Sequence, residues 1–166
     1  MKAALAVLAL GVTAAPAEAE GLMGRDVTFG TRAWEDRETP IFVGRRHPAR
    51  VSDAVEYGLG PEGVQNGWDV VPAIIDIRAR SVVITYPEMP KARFPVLEFN
   101  GYVLDFLTEC VLFDGVAQNM NRSTAPLSDG ALFTEGGQLF IDMSGVTFGP
   151  ETRVVIDVDV TPCPLG

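Results

Sequence analysis

Apolar and polar residues alternate along much of the chain, and this period of two constrains the fold more than any other feature. In the last segment, Val154, Ile156 and Val158 alternate with Asp157 and Asp159. Successive side chains of a β-strand point to opposite faces, so this segment would have one buried and one solvent-facing side. Wound as a helix, the same apolar residues would be scattered around the axis. The pattern therefore predicts a strand whose Val and Ile side chains face a core.

Similar alternation recurs elsewhere, and turn signals separate the segments. Further strands are predicted at or within residues 25–29, 41–43, 51–57, 75–78, 82–86, 94–99, 102–113 and 139–143. Turns are predicted at Asn66-Gly67, Asn100-Gly101, Asp114-Gly115, Asp129-Gly130 and Gly136-Gly137. The longest loops are expected at residues 56–67 and 118–129. Many short strands at this spacing predict an all-β fold, namely an antiparallel two-layer β-sandwich or, as the alternative, a β-barrel.

The first residues are typical of a secretory signal peptide. Lys2 supplies a positive charge, residues 3–15 form a short apolar run, and Ala17 and Ala19 form an A-x-A cleavage site. The run is shorter than the roughly 20 residues that span a bilayer. We therefore expect residues 1–19 to be a signal peptide and residues 20–166 a single all-β domain. The processed protein would be periplasmic or secreted, with no membrane association.

The sequence contains two cysteines, Cys110 and Cys163, and the expected export determines how we interpret them. An exported chain folds in an oxidising compartment, where an even number of cysteines favours pairing. We predict a Cys110–Cys163 disulfide that attaches the end of the chain to a central strand. The alternative is two unrelated thiols, with Cys110 a small buried residue.

Charge and composition narrow the classes of partner and chemistry. The formal net charge is −9, which argues against nucleic acid because that partner requires a basic surface. The single histidine, His47, has no recognisable nucleophile or orienting group with it, and no G-x-S-x-G, Walker or Rossmann motif is present. One histidine and two distant cysteines do not form a zinc site. We expect no cofactor, no metal and no catalytic residues, although acidic clusters leave calcium open.

Three side chains are candidates for ligand contact. Arg45 and Arg46 belong to a cationic stretch, 44–50, that could hold a sulfate or carboxylate. That stretch is otherwise an exposed loop or a polar edge strand. Trp68 follows the Asn66-Gly67 turn, where an indole could stack on a sugar or protein, or fold back over the core.

Several segments together resemble a recurring bacterial pattern. They are 99–102 (FNGY), 119–121 (NMN), 138–148 (QLFIDMSGVTF) and 153–160 (RVVIDVDV), with 21–28 and 51–57 also fitting. This pattern is similar to small exported β-sandwich domains often found in proteins with a PEP-CTERM sorting tail. The chain differs from it in having two cysteines and no sorting tail. The resemblance implies the fold and no particular chemistry.

These observations predict a non-enzymatic binding or structural module whose loops recognise an extracytoplasmic protein or a glycan. The alternative is a secreted glycoside hydrolase that uses two carboxylates.

Overall fold

The fold is described from a computed structural model, which covers residues 21–59 and 71–164. Its regular structure consists of β-strands in antiparallel sheets, and the described residues form no α-helix. In spatial order, the six-stranded sheet comprises β2 (Phe42–Val43) and β3 (His47–Arg50) on one edge, then β1 (Asp26–Trp34), β7 (Phe99–Phe106), β10 (Gln138–Asp142) and β9 (Leu132–Glu135). The four-stranded sheet comprises β4 (Ile74–Arg78), β5 (Ser81–Thr85), β12 (Arg153–Pro162) and β8 (Val111–Gln118). A separate pair consists of β6 (Ala92–Arg93) and β11 (Thr147–Phe148).

The two larger sheets pack face to face around one apolar core. The last strand contributes Val154, Ile156 and Val158, all at most 1% exposed, while Asp157 and Asp159 face solvent. Apolar side chains of β1, β4, β5, β7 and β10 belong to the same buried cluster. Neither sheet closes on itself in the described part of the chain, so the predicted β-sandwich is confirmed over the barrel.

The hairpin β9–β10 shows how a local sequence signal sets a turn. Gly136 and Gly137 join the two strands, with φ angles of 57° and 78°. Two consecutive positive φ values are the backbone of a type I′ turn, whose twist matches that of antiparallel strands. The turn predicted at this position is confirmed, as is the turn at Asp129-Gly130.

Several local predictions of strands and turns are wrong, and the two wrong turns fall where pairing with other strands overrides the local signal. The segment 102–113 is two strands, β7 and β8, separated at 107–110. The Asn100-Gly101 and Asp114-Gly115 pairs are not turns, since they lie inside β7 and β8. Segments 94–99 and 51–57 are mostly irregular; Tyr57 makes only an isolated bridge to Ile75. The predicted turn at 66–67 lies outside the described residues, as does the predicted signal peptide.

The Cys110–Cys163 disulfide is confirmed. Strands β8 and β12 pair as far as Val111 opposite Pro162, and the two cysteines are the next opposed positions. The Cys163 amide donates a hydrogen bond to the Cys110 carbonyl oxygen over 3.0 Å. One detail of the prediction is wrong: the central strand is β12 itself, and the bridge joins its end to the start of the edge strand β8. Cys110 is also exposed rather than buried.

Candidate functional site: a bulged sheet edge with two cavities

Strands β2 and β3 lie on the same edge of β1 and are offset from one another by one residue. Arg32 pairs with Val43, and Phe29 pairs with His47. Two residues of β1, 30 and 31, are therefore opposed by three residues, 44–46. One extra residue on one strand is a β-bulge, a feature that redirects side chains and is common beside functional sites. The bulge contains both arginines that the sequence singled out.

Glycines allow the bulged segment to approach β1 closely. A Cβ at Gly30 would lie 2.8 Å from the Arg45 carbonyl oxygen, and a Cβ at Gly44 would lie 2.4 Å from Thr31 Oγ1. Both distances are shorter than a Cβ atom tolerates, so the bulge in this conformation requires glycine at both positions. Its conformation therefore depends on contacts between segments about 14 residues apart.

The larger of two neighbouring cavities has a volume of about 290 Å³ and lies at this end of the sandwich. Its lining is mainly apolar and comprises Thr31, Arg32, Ala33, Ile41, Phe42, Val71, Phe94, Pro95, Leu97, Asn100, Gly101 and Tyr102. Thr31 Oγ1 is buried and has no hydrogen-bond partner among the described residues. A buried hydroxyl that lacks a partner is costly, on the order of 1–3 kcal/mol. The cavity therefore has mainly apolar walls, and one of its lining residues has a buried hydroxyl whose hydrogen-bonding capacity is unused among the described residues.

Aromatic side chains form the wall behind this cavity. The rings of Phe94 and Tyr102 meet edge to face, with centroids 6.4 Å apart. Behind them the hydroxyl groups of Tyr102 and Tyr86 share a hydrogen bond of 3.1 Å in the core. Burial raises the pKa of both tyrosines, so both remain neutral hydrogen-bonding groups. This wall is therefore uncharged.

The smaller cavity is a cleft of about 50 Å³ next to the bulge. It is lined by Gly30, Thr31, Arg32, Val43, Gly44, Arg46, Val103 and Asp105. Arg46 donates a hydrogen bond to Asp105 over 2.9 Å, and the Gln138 amide donates to the same carboxylate oxygen over 2.7 Å. Arg32 has no ion pair among the described residues. With Arg32 and Arg46 set against Asp105, the lining has one excess positive charge.

Beside the cleft, the outer face of the six-stranded sheet has its own aromatic cluster. Trp34, Phe99, Val103 and Phe140 are at most 5% exposed although they face away from the main core. Phe133 stacks on Phe140 with ring centroids 4.8 Å apart. Two guanidinium groups lie over the Phe140 ring, that of Arg32 at 5.8 Å and that of Arg37 at 5.6 Å. Each guanidinium is thus within cation–π distance of the Phe140 ring.

The charge on Arg32 is destabilised by its surroundings. Burial is the main cause, followed by repulsion from Arg46 and then from Arg37, and together they lower the pKa of Arg32. Arg37 forms an ion pair with Glu135, and Arg46 with Asp105. The guanidinium of Arg32 is thus half-buried and close to two other cations, with the attraction of Asp105 opposing their effect, and it forms no ion pair with a described residue.

Of the three residues that the sequence predicted as ligand contacts, one lines a cavity. Arg46 lines the cleft, whereas Arg45 is exposed in the bulge and touches β1 through its backbone. Trp68 lies outside the described residues. His47 begins β3, and its carbonyl oxygen accepts a hydrogen bond from the Tyr57 hydroxyl. Sequence reasoning did not identify Thr31 or Arg32, because nothing in their neighbours along the chain indicates a cavity.

The only buried carboxylate among the described residues, Glu56, has a structural role. Its two oxygens accept hydrogen bonds from the backbone amides of Ser52 and Ile77, over 2.8 and 2.7 Å. Burial raises the pKa of Glu56, although these two hydrogen bonds oppose the shift. No group of three or more His, Cys, Asp or Glu side chains within residues 21–59 and 71–164 could hold a metal ion.

The chain matches no protein-family model, no curated protein and no solved structure. The resemblance to domains with PEP-CTERM tails therefore stays a prediction. No helix in the described ranges is long and apolar enough to cross a membrane. The disulfide is compatible with an oxidising location outside the cytoplasm.

Proposed function

We propose that this protein is an exported, non-enzymatic binding module that holds a small ligand in the larger cavity beside the bulge. The observation that carries the proposal is the mainly apolar cavity, next to which the Thr31 hydroxyl is buried without a hydrogen-bond partner among the described residues. Ligand sites combine apolar walls with a few polar groups that orient the ligand. A ligand of this cavity would have an apolar body and one polar group, which would hydrogen-bond to Thr31 once the Thr31 side chain rotates towards the cavity. Export is supported by the signal-like first residues and by the disulfide.

The chemistry of the walls indicates the size and polarity of the ligand. A volume of about 290 Å³ is at the lower end of the range for small-molecule sites. Phe42, Phe94 and Tyr102 offer ring surfaces, and the described lining has no carboxylate. We therefore expect an aromatic or cyclic aliphatic alcohol to bind better than a fully hydroxylated sugar, since a sugar would leave hydroxyl groups without partners.

Ligand-observed NMR with three probes tests this proposal: benzyl alcohol, cyclohexanol and cellobiose. We expect saturation transfer to the two alcohols, and its loss in Ala33→Phe, which places a ring in the cavity. Ala117→Phe, on the exposed side of β8, is the matched control and should retain it. Thr31→Val removes the hydroxyl at similar size, so it should weaken alcohol binding while leaving the free protein as stable or more stable. Equal alcohol signals in the parent, A33F and T31V would overturn the proposal.

The glycoside hydrolase alternative requires two carboxyl groups on opposite sides of a bound sugar. Asp105 is the single carboxylate of the smaller cleft, and Arg46 and Gln138 already bind it. These arrangements favour binding over hydrolysis. A panel of glycosidase, esterase and peptidase substrates tests the distinction. Turnover that one Asp or Glu substitution abolishes without unfolding the protein would contradict a binding module.

A further inference from the structure

The outer face beside the bulge carries a second feature, a cleft that shares Thr31 and Arg32 with the lining of the larger cavity. Arg32 and Arg46 both line the smaller cleft, and of these two only Arg46 forms an ion pair with a described carboxylate. The cleft lies on the outer side of the sheet. Val103 forms part of its lining, and Phe140 is the partner of Val103 on the neighbouring strand β10. A cation held in a half-buried cleft with one excess positive charge is a binding element for an anion.

We propose that this cleft binds an oxyanion, the chemical class of sulfate, phosphate and carboxylate groups, between Arg32 and Arg46. The planar guanidinium of Arg32 matches two oxygens of such a group at once. Its position over Phe140 fixes the guanidinium before binding, so little side-chain freedom is lost when the anion arrives. The anion would also relieve the repulsion between Arg32 and Arg46.

Two further properties of the site favour a small anionic group. A volume of about 50 Å³ accommodates one such group and not a whole sugar ring. Asp105 lines the same cleft and repels anions, but its Oδ2 atom is neutralised by the hydrogen bonds from Arg46 and Gln138. The chain's net charge of −9 acts over longer distances, and salt screens charges more than about 8 Å apart at physiological ionic strength. The local cations therefore dominate at the cleft.

The test is an NMR titration of the full chain, monitoring the arginine side-chain N–H signals. Sodium sulfate and inorganic phosphate are the probes, with sodium chloride at equal ionic strength as the reference. We expect sulfate to shift the signals of Arg32 and Arg46, with saturation below about 50 mM. Shifts that chloride reproduces at equal ionic strength, or no shifts up to that concentration, would overturn the proposal.

Arginine variants distinguish binding in the cleft from nonspecific attraction by positive charge. Arg32→Gln should weaken sulfate binding by about tenfold or more, because a charge-assisted bidentate contact is lost. Arg32→Lys keeps the charge and should retain part of the affinity. The matched control is Arg37→Gln: Arg37 also lies over Phe140 but does not line the cleft. Equal loss in R37Q and R32Q would contradict a site in the cleft.

A last comparison identifies the source of the oxyanion. Dextran sulfate and neutral dextran are titrated against the parent and R32Q. Dextran sulfate that binds tighter than free sulfate, at equal sulfate concentration, assigns the site to a polymer-borne group; equal affinity assigns it to a small ion. Since these probes do not enter the apolar cavity, alcohol binding and oxyanion binding can fail separately.

Discussion

Replacing both cysteines, in Cys110→Ser/Cys163→Ser, should destabilise the protein through its unfolded state. The two cysteines lie 53 residues apart. For a closed loop of that size, chain entropy predicts a stabilisation of about 4 kcal/mol. Because the bridge continues the register of β8 and β12 and is flanked by a backbone hydrogen bond, the native structure should keep its geometry without it. The change should therefore appear almost entirely as a loss of unfolding free energy.

Urea denaturation of the mature protein measures this loss. With a typical slope of about 2 kcal/mol per molar urea, a loss of about 4 kcal/mol shifts the midpoint by roughly 2 M. The parent treated with a reductant should unfold at the same midpoint as the double serine variant. Thiol titration of the unfolded, unreduced parent should find no reactive thiols. Two reactive thiols per monomer, or a loss below about 1 kcal/mol, would refute the reasoning.

Four other substitutions test the core. Ile156→Asp places an unpaired charge in the centre of β12, so it should cost more than about 4 kcal/mol, and a variant that melts like the parent would contradict the inward face. Tyr86→Phe and Tyr102→Phe should each lower the free energy of unfolding by about 1–3 kcal/mol, because the remaining hydroxyl loses its hydrogen-bond partner. The double variant should lose clearly less than the sum of the two single losses, and additive losses in a double-mutant cycle would exclude a shared hydrogen bond. Glu56→Gln should lower the free energy of unfolding. The two oxygens of Glu56 accept hydrogen bonds from two backbone N–H groups, and in the variant one of these N–H groups would face the NH2 of the glutamine side chain, which cannot accept. Burial raises the folded pKa of Glu56 above its unfolded value of about 4.3. The parent therefore loses stability as the pH rises from that unfolded value through the higher pKa of the folded state. The advantage of the parent over E56Q should shrink from acidic to neutral pH, and a constant or growing gap in urea midpoints would reverse that sign.

The larger core strands could be predicted from the sequence because their signal is local. Alternation identified the inward faces of β4, β5, β10 and β12, since a strand that buries one face must be apolar at every second position. The disulfide was predictable from the even number of cysteines and the expected compartment. The Gly136-Gly137 turn was predictable because two positive φ angles strongly favour glycine.

Other local signals failed because the same residues serve a tertiary purpose. Gly101 resembles a turn residue, yet it lies in β7, where a Cβ would be 1.9 Å from the Ile141 carbonyl oxygen of the neighbouring strand. Asp114-Gly115 lies in β8 at the point where its register with β12 shifts. At Gly101 the need for glycine is set by the neighbouring strand, and the place of Asp114-Gly115 in a strand is set by pairing with β12; no window of adjacent residues contains either partner strand.

The candidate site belongs to this second category. The sequence by itself determined an all-β sandwich, most of its inward faces, the cysteine pair and a cationic stretch that includes Arg45 and Arg46. Only the tertiary structure decided that Arg46 lies in a cleft beside Arg32, and that Thr31, which lines the larger cavity, has a buried hydroxyl without a partner among the described residues. The reason is that the bulge exists only when β2 and β3 pair with β1 in registers that differ by one residue. Register is a property of two paired strands, so the residues that line the site acquire their roles only when the sheet forms.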